Sequence, residues 1–272
     1  MTTSTTAPAA RSAGRRVARP LLVAAAWVVV WWVAALVVGS RLLLPTPGAV
    51  ASRFVELAGT PAFWATVAYS LVRIVAGFVL GTVLGTLVAV ASARWGTVDA
   101  LVSPAVGAIR ATPVVSFIIL VLIWVDSSRL AVVVSTLMVL PVTYAAVLEG
   151  IRRRDRSMLE VAAVFSVPLV RRLPAIDVPA VLPFFAAACQ VGIGLAWKSG
   201  IAAEVIGLPD GSIGGQLYEA KVLLESADLF VWTGAVIALS LAVERLVATL
   251  LRRVPSSPAP ARELSASSRV GP

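Results

Sequence analysis

Few residues of this chain could do chemistry, and their spacing narrows what that chemistry is. The sequence has no histidine and one cysteine, Cys189, so an intrachain disulfide is impossible and a Cys/His metal site is excluded. Cys189 sits in a hydrophobic run and reads as a packing residue. Gly192 to Ser199 reads GIGLAWKS, one residue away from the G-x-x-x-x-G-K-S loop that cradles phosphate. Trp197 occupies the second glycine position, where the backbone must curl around the anion, and the stretch lies in an apolar run rather than after a strand. Nucleotide binding by this chain is rejected, no cofactor is expected, and no catalytic constellation is left. What remains is a set of isolated groups in greasy surroundings, Arg73, Lys198 and Glu204, and one polar interval, Arg152 to Pro179, reading RRRDRSMLEVAAVFSVPLVRRLPAIDVP.

The elements that must position these groups are membrane helices. Hydrophobic residues make up 59% of the chain and charged residues 14%, with mean hydropathy +0.93. A soluble domain runs nearer half apolar and about a quarter charged. Uncharged runs from Pro20 to Ser40, Ile74 to Ala93, Leu130 to Leu148 and Val178 to Trp197 each approach the roughly 20 residues that cross a bilayer as a helix. Ala111 to Val125, extendable back toward Leu101, and Leu229 to Val243, extendable to Leu251, complete the set. The expectation is an all-α, polytopic membrane bundle of about six transmembrane helices over residues 20–253. Residues 1–19 and 254–272, rich in Ser, Ala, Pro, Thr and Arg without periodicity, are expected to be disordered tails. Arg15-Arg16 before an apolar run faintly resembles a twin-arginine leader, but the run is longer than a signal peptide's and no A-x-A-like site closes it. It reads as an uncleaved first span.

The net charge of +9 would suggest nucleic acid in a soluble protein. Here arginines gather at membrane edges, so no nucleic-acid partner is expected. The polar interval alone holds six arginines, and the positive-inside tendency places it, with both termini, in the cytoplasm of a cell-membrane protein.

The spans carry their own signals. Gly77, Gly81 and Gly85 form a doubled G-x-x-x-G, which lets helix backbones approach closely; intramolecular packing is preferred to a subunit interface. Arg73 near the outer start of that span must pair or snorkel. Pro113, after Arg110, bends the chain as it enters the membrane, and Pro141 should kink the fourth span. At about 1.5 Å per residue, Lys198 falls near the outer interface and Glu204 beyond it, or in a stretch that turns back. With Gly207 these make up a candidate pathway or outer gate. LPDGSIGGQLYEAK then reads as a short helix over the outer mouth, with a negative cast from four acidic residues ending at Asp228.

Within the polar interval, Ser157-x-x-Glu160 reads as a capping box, opening a short helix with Met158, Val161, Ala162 and Phe165 on one face. Ser166 to Pro168 breaks it, Pro168 being placed for the first turn of a second helix, and Pro174 and Pro179 end the loop. A surface-lying loop that binds anionic headgroups would account for the arginines, but not for the glutamate, the box and the sharp break.

This interval resembles the EAA loop of ABC importer permeases, the binding-protein-dependent inner-membrane components. That loop runs E-A-A, three residues, G, nine residues, then I-x-L-P. The match here is Glu160-Val161-Ala162, Ser166 and Ile176-Asp177-Val178-Pro179, with every gap preserved. Val161, Ser166 and Val178 stand where the pattern has alanine, glycine and leucine; glycine at the turn would permit positive φ. The resemblance extends from about Phe63 to Arg253, and GLAWKSGIAAEVIGLP, Gly194 to Pro209, looks like the nitrate/sulfonate/taurine branch. It implies a type I ABC importer permease-like fold and a homodimer that forms the pathway for a small solute such as nitrate, a sulfonate, taurine or a related small organic compound. An extracytoplasmic solute-binding protein would deliver that solute, and ATP would be bound by a separate cytoplasmic ATPase subunit. The coupling loop would comprise Ser157, Glu160, Val161, Ala162, Ser166, Ile176, Val178 and Pro179, of which Glu160, Ala162 and Ser166 would carry contact with the ATPase and Ile176 and Pro179 would place the next span. A stand-alone secondary transporter or channel is the alternative; it should show internal repeats and mid-membrane charges, and neither is evident.

Overall fold

A computed structural model describes residues 11–252, with side chains from Leu22 to Leu251. All regular structure among them is helical: α1 Arg11–Val38, α2 Pro47–Ala58, α3 Pro61–Arg94, α4 Gly96–Ala111, α5 Val114–Val121, α6 Ser127–Arg152, α7 Arg156–Val164, α8 Leu169–Arg172, a π-helical turn Leu173–Asp177, α9 Val178–Gly207, α10 Ile213–Val222 and α11 Ser226–Arg252. The expected all-α membrane fold is what forms. Residues 11–19, expected to be an unstructured tail, belong to α1, because alanine and arginine are good helix formers and extending a formed span needs no new nucleus. The rest of the two expected tails lies outside the described residues.

Four helical stretches are long and apolar enough to cross a membrane: α3, α6, the continuous run Leu169–Gly207 and α11. The expected third span bends at Pro113, as its sequence implies. α4 and α5 reach spanning length only as a pair and meet at 107°. Proline forces this bend, since Thr112, preceding Pro113, is pushed out of the helical region to ψ 132°. The apolar Leu22–Val38 part of α1 is shorter than the other spans. The about six expected spans are thus represented by four long helices, a bent pair and this shorter stretch. Pro141 lies inside α6, whose helix is unbroken.

The chain divides into two compact units. The first joins the residues through Thr66 to Gln216–Ala235 and is held by aromatic contacts and one bidentate ion pair. Trp31 stacks on Phe230 at 5.5 Å and Phe63 on Trp232 at 4.8 Å. Arg53 on α2 donates to both oxygens of Asp228 at 2.6 and 2.9 Å, a fork geometry that suits guanidinium. Asp228 is therefore neutralised and does not add to the negative cast expected of its face.

In the second unit, α6 is the central post. From Leu130 to Ile151 none of its residues is exposed. Gly77, Gly81 and Gly85 of α3 lie against it: a Cβ on each would come within 2.6–2.8 Å of α6 atoms, so the doubled glycine motif serves intramolecular packing, as expected. On another side Ser135 of α6 donates its hydroxyl to the Ala196 carbonyl of α9 at 3.0 Å. Ile118 and Val121 of α5 pack with Leu130, Ala131 and Val134 of α6 and Ala203 of α9. Val106 of α4 packs with Ala89, Tyr144 and Val147. Cys189 is buried in α9, and GIGLAWKS lies wholly inside that helix.

Candidate functional site

The residues singled out from sequence fall into two groups, one near the end of α9 and one in the loop between α6 and α9.

Near its end α9 stays helical to Gly207 and terminates on Leu208 in the left-handed region, so Glu204 does not lie in a stretch that turns back. Its side chain is fully buried. Oε2 accepts from the Ser70 hydroxyl of α3 at 2.7 Å and from the Gly214 N–H at the start of α10 at 3.2 Å. Ser70 Oγ in turn accepts the Ile213 N–H at 2.9 Å, while Ser212 takes the Gly215 N–H. Three of the free N–H groups that open α10 are thus satisfied internally, and the partial positive charge at a helix start meets a carboxylate. Glu204 is a fastener joining α3, α9 and α10. Arg73 lies within electrostatic reach of it, stacks over Tyr69 at 4.3 Å and keeps one buried guanidinium nitrogen without a hydrogen-bond partner. Snorkelling therefore does not describe Arg73. Gly207 is a packing point: a Cβ there would meet Leu130 at 2.6 Å. Lys198 differs from all of these, being exposed on α9 with no acidic partner within salt-bridge distance among the described residues. Gln190 is exposed on the same helix face, eight residues or about two turns earlier.

In the loop, α7 opens differently from the expected capping box. Asp155 is the N-cap, and its carboxylate accepts both the N–H (2.9 Å) and the hydroxyl of Ser157. Ser157 lies inside the first turn and Glu160 is exposed on α7. Aspartate is as good a cap as serine and stands two residues earlier, so it wins the helix start. Two donors on its carboxylate hold the Asp155 pKa below the ordinary carboxylate range.

Along α7, Ala162 is buried, whereas Met158, Val161, Val164 and Phe165 are exposed, Phe165 to 76%. Open apolar surface of this extent marks a contact with another protein or with lipid. The helix ends in a tight reversal: the Ser166 N–H bonds to Ala163 O at 3.0 Å and the Val167 N–H to Ala162 O at 2.9 Å, with Ser166 at φ +50°. That is the Schellman arrangement, which favours glycine, and serine adopts it here. Pro168 caps α8 rather than occupying its first turn.

The loop does not end at Pro174 and Pro179. Both lie in the continuous helix Leu169–Gly207. Pro174 lacks an N–H and crowds the carbonyl four residues back, and the wider π turn Leu173–Asp177 accommodates it. Ile176 and Pro179 are half-buried and Val178 exposed.

The three consecutive arginines do not form a free basic patch. Arg152 donates to Asp99 at 2.8 Å, beside the Tyr144 hydroxyl at 3.0 Å. Arg153 pairs with Glu149, and Arg154 with Asp177. Asp177 also accepts from Arg172 at 3.0 Å. Sequence reading passed over Asp155 and Asp177; the only signal was that they are the two acids other than Glu160 in an arginine-rich interval.

The family described as "Binding-protein-dependent transport system inner membrane component" has a model that matches residues 81–255. Among curated proteins, the taurine transport system permease protein of Escherichia coli (strain K12) is 27% identical, covering 82% of this chain and 80% of its own. A putative aliphatic sulfonates transport permease protein of Bacillus subtilis (strain 168) is 25% identical over 77% and 76% of the two chains. The bicarbonate transport system permease protein of Synechococcus elongatus is 26% identical over 70% and 68%.

Proposed function

The chain belongs to the family of binding-protein-dependent transport system inner membrane components, and from that premise we propose that it forms the solute pathway of an ATP-driven importer. It is a multi-pass inner-membrane transport permease and not an enzyme. The coupled ATPase is a separate cytoplasmic subunit that docks on the loop between α6 and α9, and both termini of this chain lie on that side. A solute-binding protein delivers the cargo at the opposite end, and two copies of this chain surround the pathway. Glu160, Val161, Ala162 and Ser166 hold the docking knob, while Ile176, Val178 and Pro179 connect it to α9.

The observation that carries the reading is the knob itself: a short helix with exposed Met158, Val161, Val164 and Phe165, reversed sharply at Ser166. Four of the loop's six arginines are paired to carboxylates, which leaves Arg156 and Arg171 for headgroups, and the exposed apolar face of α7 is better served by a protein groove. ATP-driven closure of the ATPases then rocks the helices through this contact.

The cargo we propose is a small oxyanion, the chemistry shared by the solutes in the relatives' names, and a sulfonate before a bicarbonate because two of the three named relatives carry sulfonates. Lys198 is the cation that meets it: an exposed, unpaired ammonium on a spanning helix is costly unless it lines a polar path. Arg73, held by Tyr69 and near Glu204, is the second positive charge beside that route. Glu204 and Gly207 serve the gate by fastening and packing helices rather than by touching solute.

The test is co-purification from the native membrane of the tagged chain beside a Glu160→Arg, Ser166→Asp double variant. An ATPase subunit that accompanies the native chain and is lost with the variant supports the reading. If none accompanies the native chain while other membrane complexes survive, the stand-alone transporter takes its place.

A further inference from the structure

Asp177 is the one acidic residue of the loop buried among cations. Its residue is 7% exposed, and it accepts from Arg154 and Arg172 together. These partners come from opposite ends of the knob. Arg154 follows directly on α6 and also donates through Nε to the Ile151 carbonyl at 2.8 Å, while Arg172 closes α8, after the reversal at Ser166. The carboxylate itself sits on the last residue of the π turn, immediately before α9. A π turn inserts a residue into the helical register, which rotates the preceding side chains by about 100°. Without it, Asp177 and Arg172 would not share this relation.

We infer that Asp177 is a positioning residue that locks the knob to α9, so that force applied to α7 and α8 moves α9 instead of flexing the chain between them. The inference rests on the coupling-loop reading above. Packing contributes little to the lock: Leu173, Pro174, Ala175 and Val178 are all exposed around the π turn, and Ile176 alone among the turn's apolar residues is half-buried. A buried carboxylate shared by two guanidinium groups is directional and stiff. Losing it leaves two arginines without their acceptor and frees the turn. The pathway end of α9, which carries Lys198, Glu204 and Gly207, then receives no push.

The experiment uses the complete importer, purified with its own ATPase, in a Cys189→Ser background with a fluorophore on a cysteine at Ile206. Trapping with ATP and vanadate should shift the emission in the otherwise unchanged chain. Asp177→Asn is expected to keep the ATPase bound, since the apolar face of α7 is untouched, but to lose the shift; Asp177→Glu should keep it in part. Arg172→Gln, which removes one of the two bonds from a half-exposed side chain, is expected to diminish the shift and decides the matter if Asp177→Asn does not assemble. An undiminished shift in both variants overturns the inference, and so does failure of both to assemble, which would make the pair merely structural. If no ATPase accompanies the unchanged chain, the coupling reading fails first, and this inference with it.

Discussion

The hydroxyl of Ser70 donates to Glu204 across 2.7 Å, joining α3 to α9 where both residues have no exposed surface. The same hydroxyl accepts the Ile213 N–H, and the same carboxylate oxygen accepts that of Gly214. Removing Glu204 strands two donors, the Ser70 hydroxyl and the Gly214 N–H, while removing Ser70 strands the Ile213 N–H and takes one of the two bonds from the carboxylate.

An interhelical hydrogen bond in a membrane bundle contributes roughly 0.6 kcal/mol on average, but a buried group left without a partner costs about 1–3 kcal/mol. Ser70→Ala and Glu204→Ala are expected to fall in that higher range. Glu204→Gln keeps an acceptor for both donors and should be milder than either. Thermal unfolding in detergent gives the order; equal damage from Glu204→Gln and Glu204→Ala would mean that the charge facing Arg73, not the hydrogen bonding, holds the cluster.

Two glycine-to-alanine changes should act with opposite signs. At Gly81 a Cβ meets the Thr136 carbonyl and the Val139 Cβ, both at 2.8 Å, and backbone cannot move aside cheaply. Overpacking of this kind costs about 1–3 kcal/mol. At Gly107, inside α4, nothing lies within 4 Å, and alanine should gain up to about 1 kcal/mol from helix propensity alone. Unfolding midpoints in one detergent would expose the contrast, and a shared sign would contradict the close α3–α6 contact.

How much of this could be read in advance depended on the range of each interaction. The glycines of α3 announce a close helix contact because their spacing is local to one helix. The reversal at Ser166 was visible as a break between two apolar stretches. The burial of Glu204 was not legible because its partner Ser70 lies 134 residues away and no short pattern couples them. The helix start at Asp155 was missed for a different reason: Ser157 and Glu160 imitate a capping box while a stronger cap stands two residues earlier. Asp177 was invisible because its burial depends on a π turn, which hydrophobic periodicity does not encode.

Ser166 adopts φ +50°, a region that costs an L-residue roughly 1–2 kcal/mol. Ser166→Gly should therefore stabilise the knob by about 1 kcal/mol, and Ser166→Val should weaken it. Slower hydrogen exchange at the Ser166 and Val167 amides in the glycine variant is the expected result; unchanged exchange would argue against the left-handed turn.

The cap of α7 ties the docking knob to pH. The Asp155 carboxylate is stabilised in its charged form by the Ser157 hydroxyl and N–H, so its folded pKa lies below the unfolded one. A depressed carboxylate contributes stability above its unfolded pKa, about 3.9, and loses it as pH falls through the lower folded value. Asp155 is exposed, so solvent screens the effect and the loss is confined to the first turn of α7. In Asp155→Asn the side-chain oxygen still accepts from Ser157 but does not titrate. Amide exchange across α7, taken as the ratio of the native chain to Asp155→Asn at each pH, should stay flat above about pH 5 and rise below about pH 4, where the native cap is protonated. A ratio that stays flat to the lowest pH would show that Asp155 does not cap α7 through its charge.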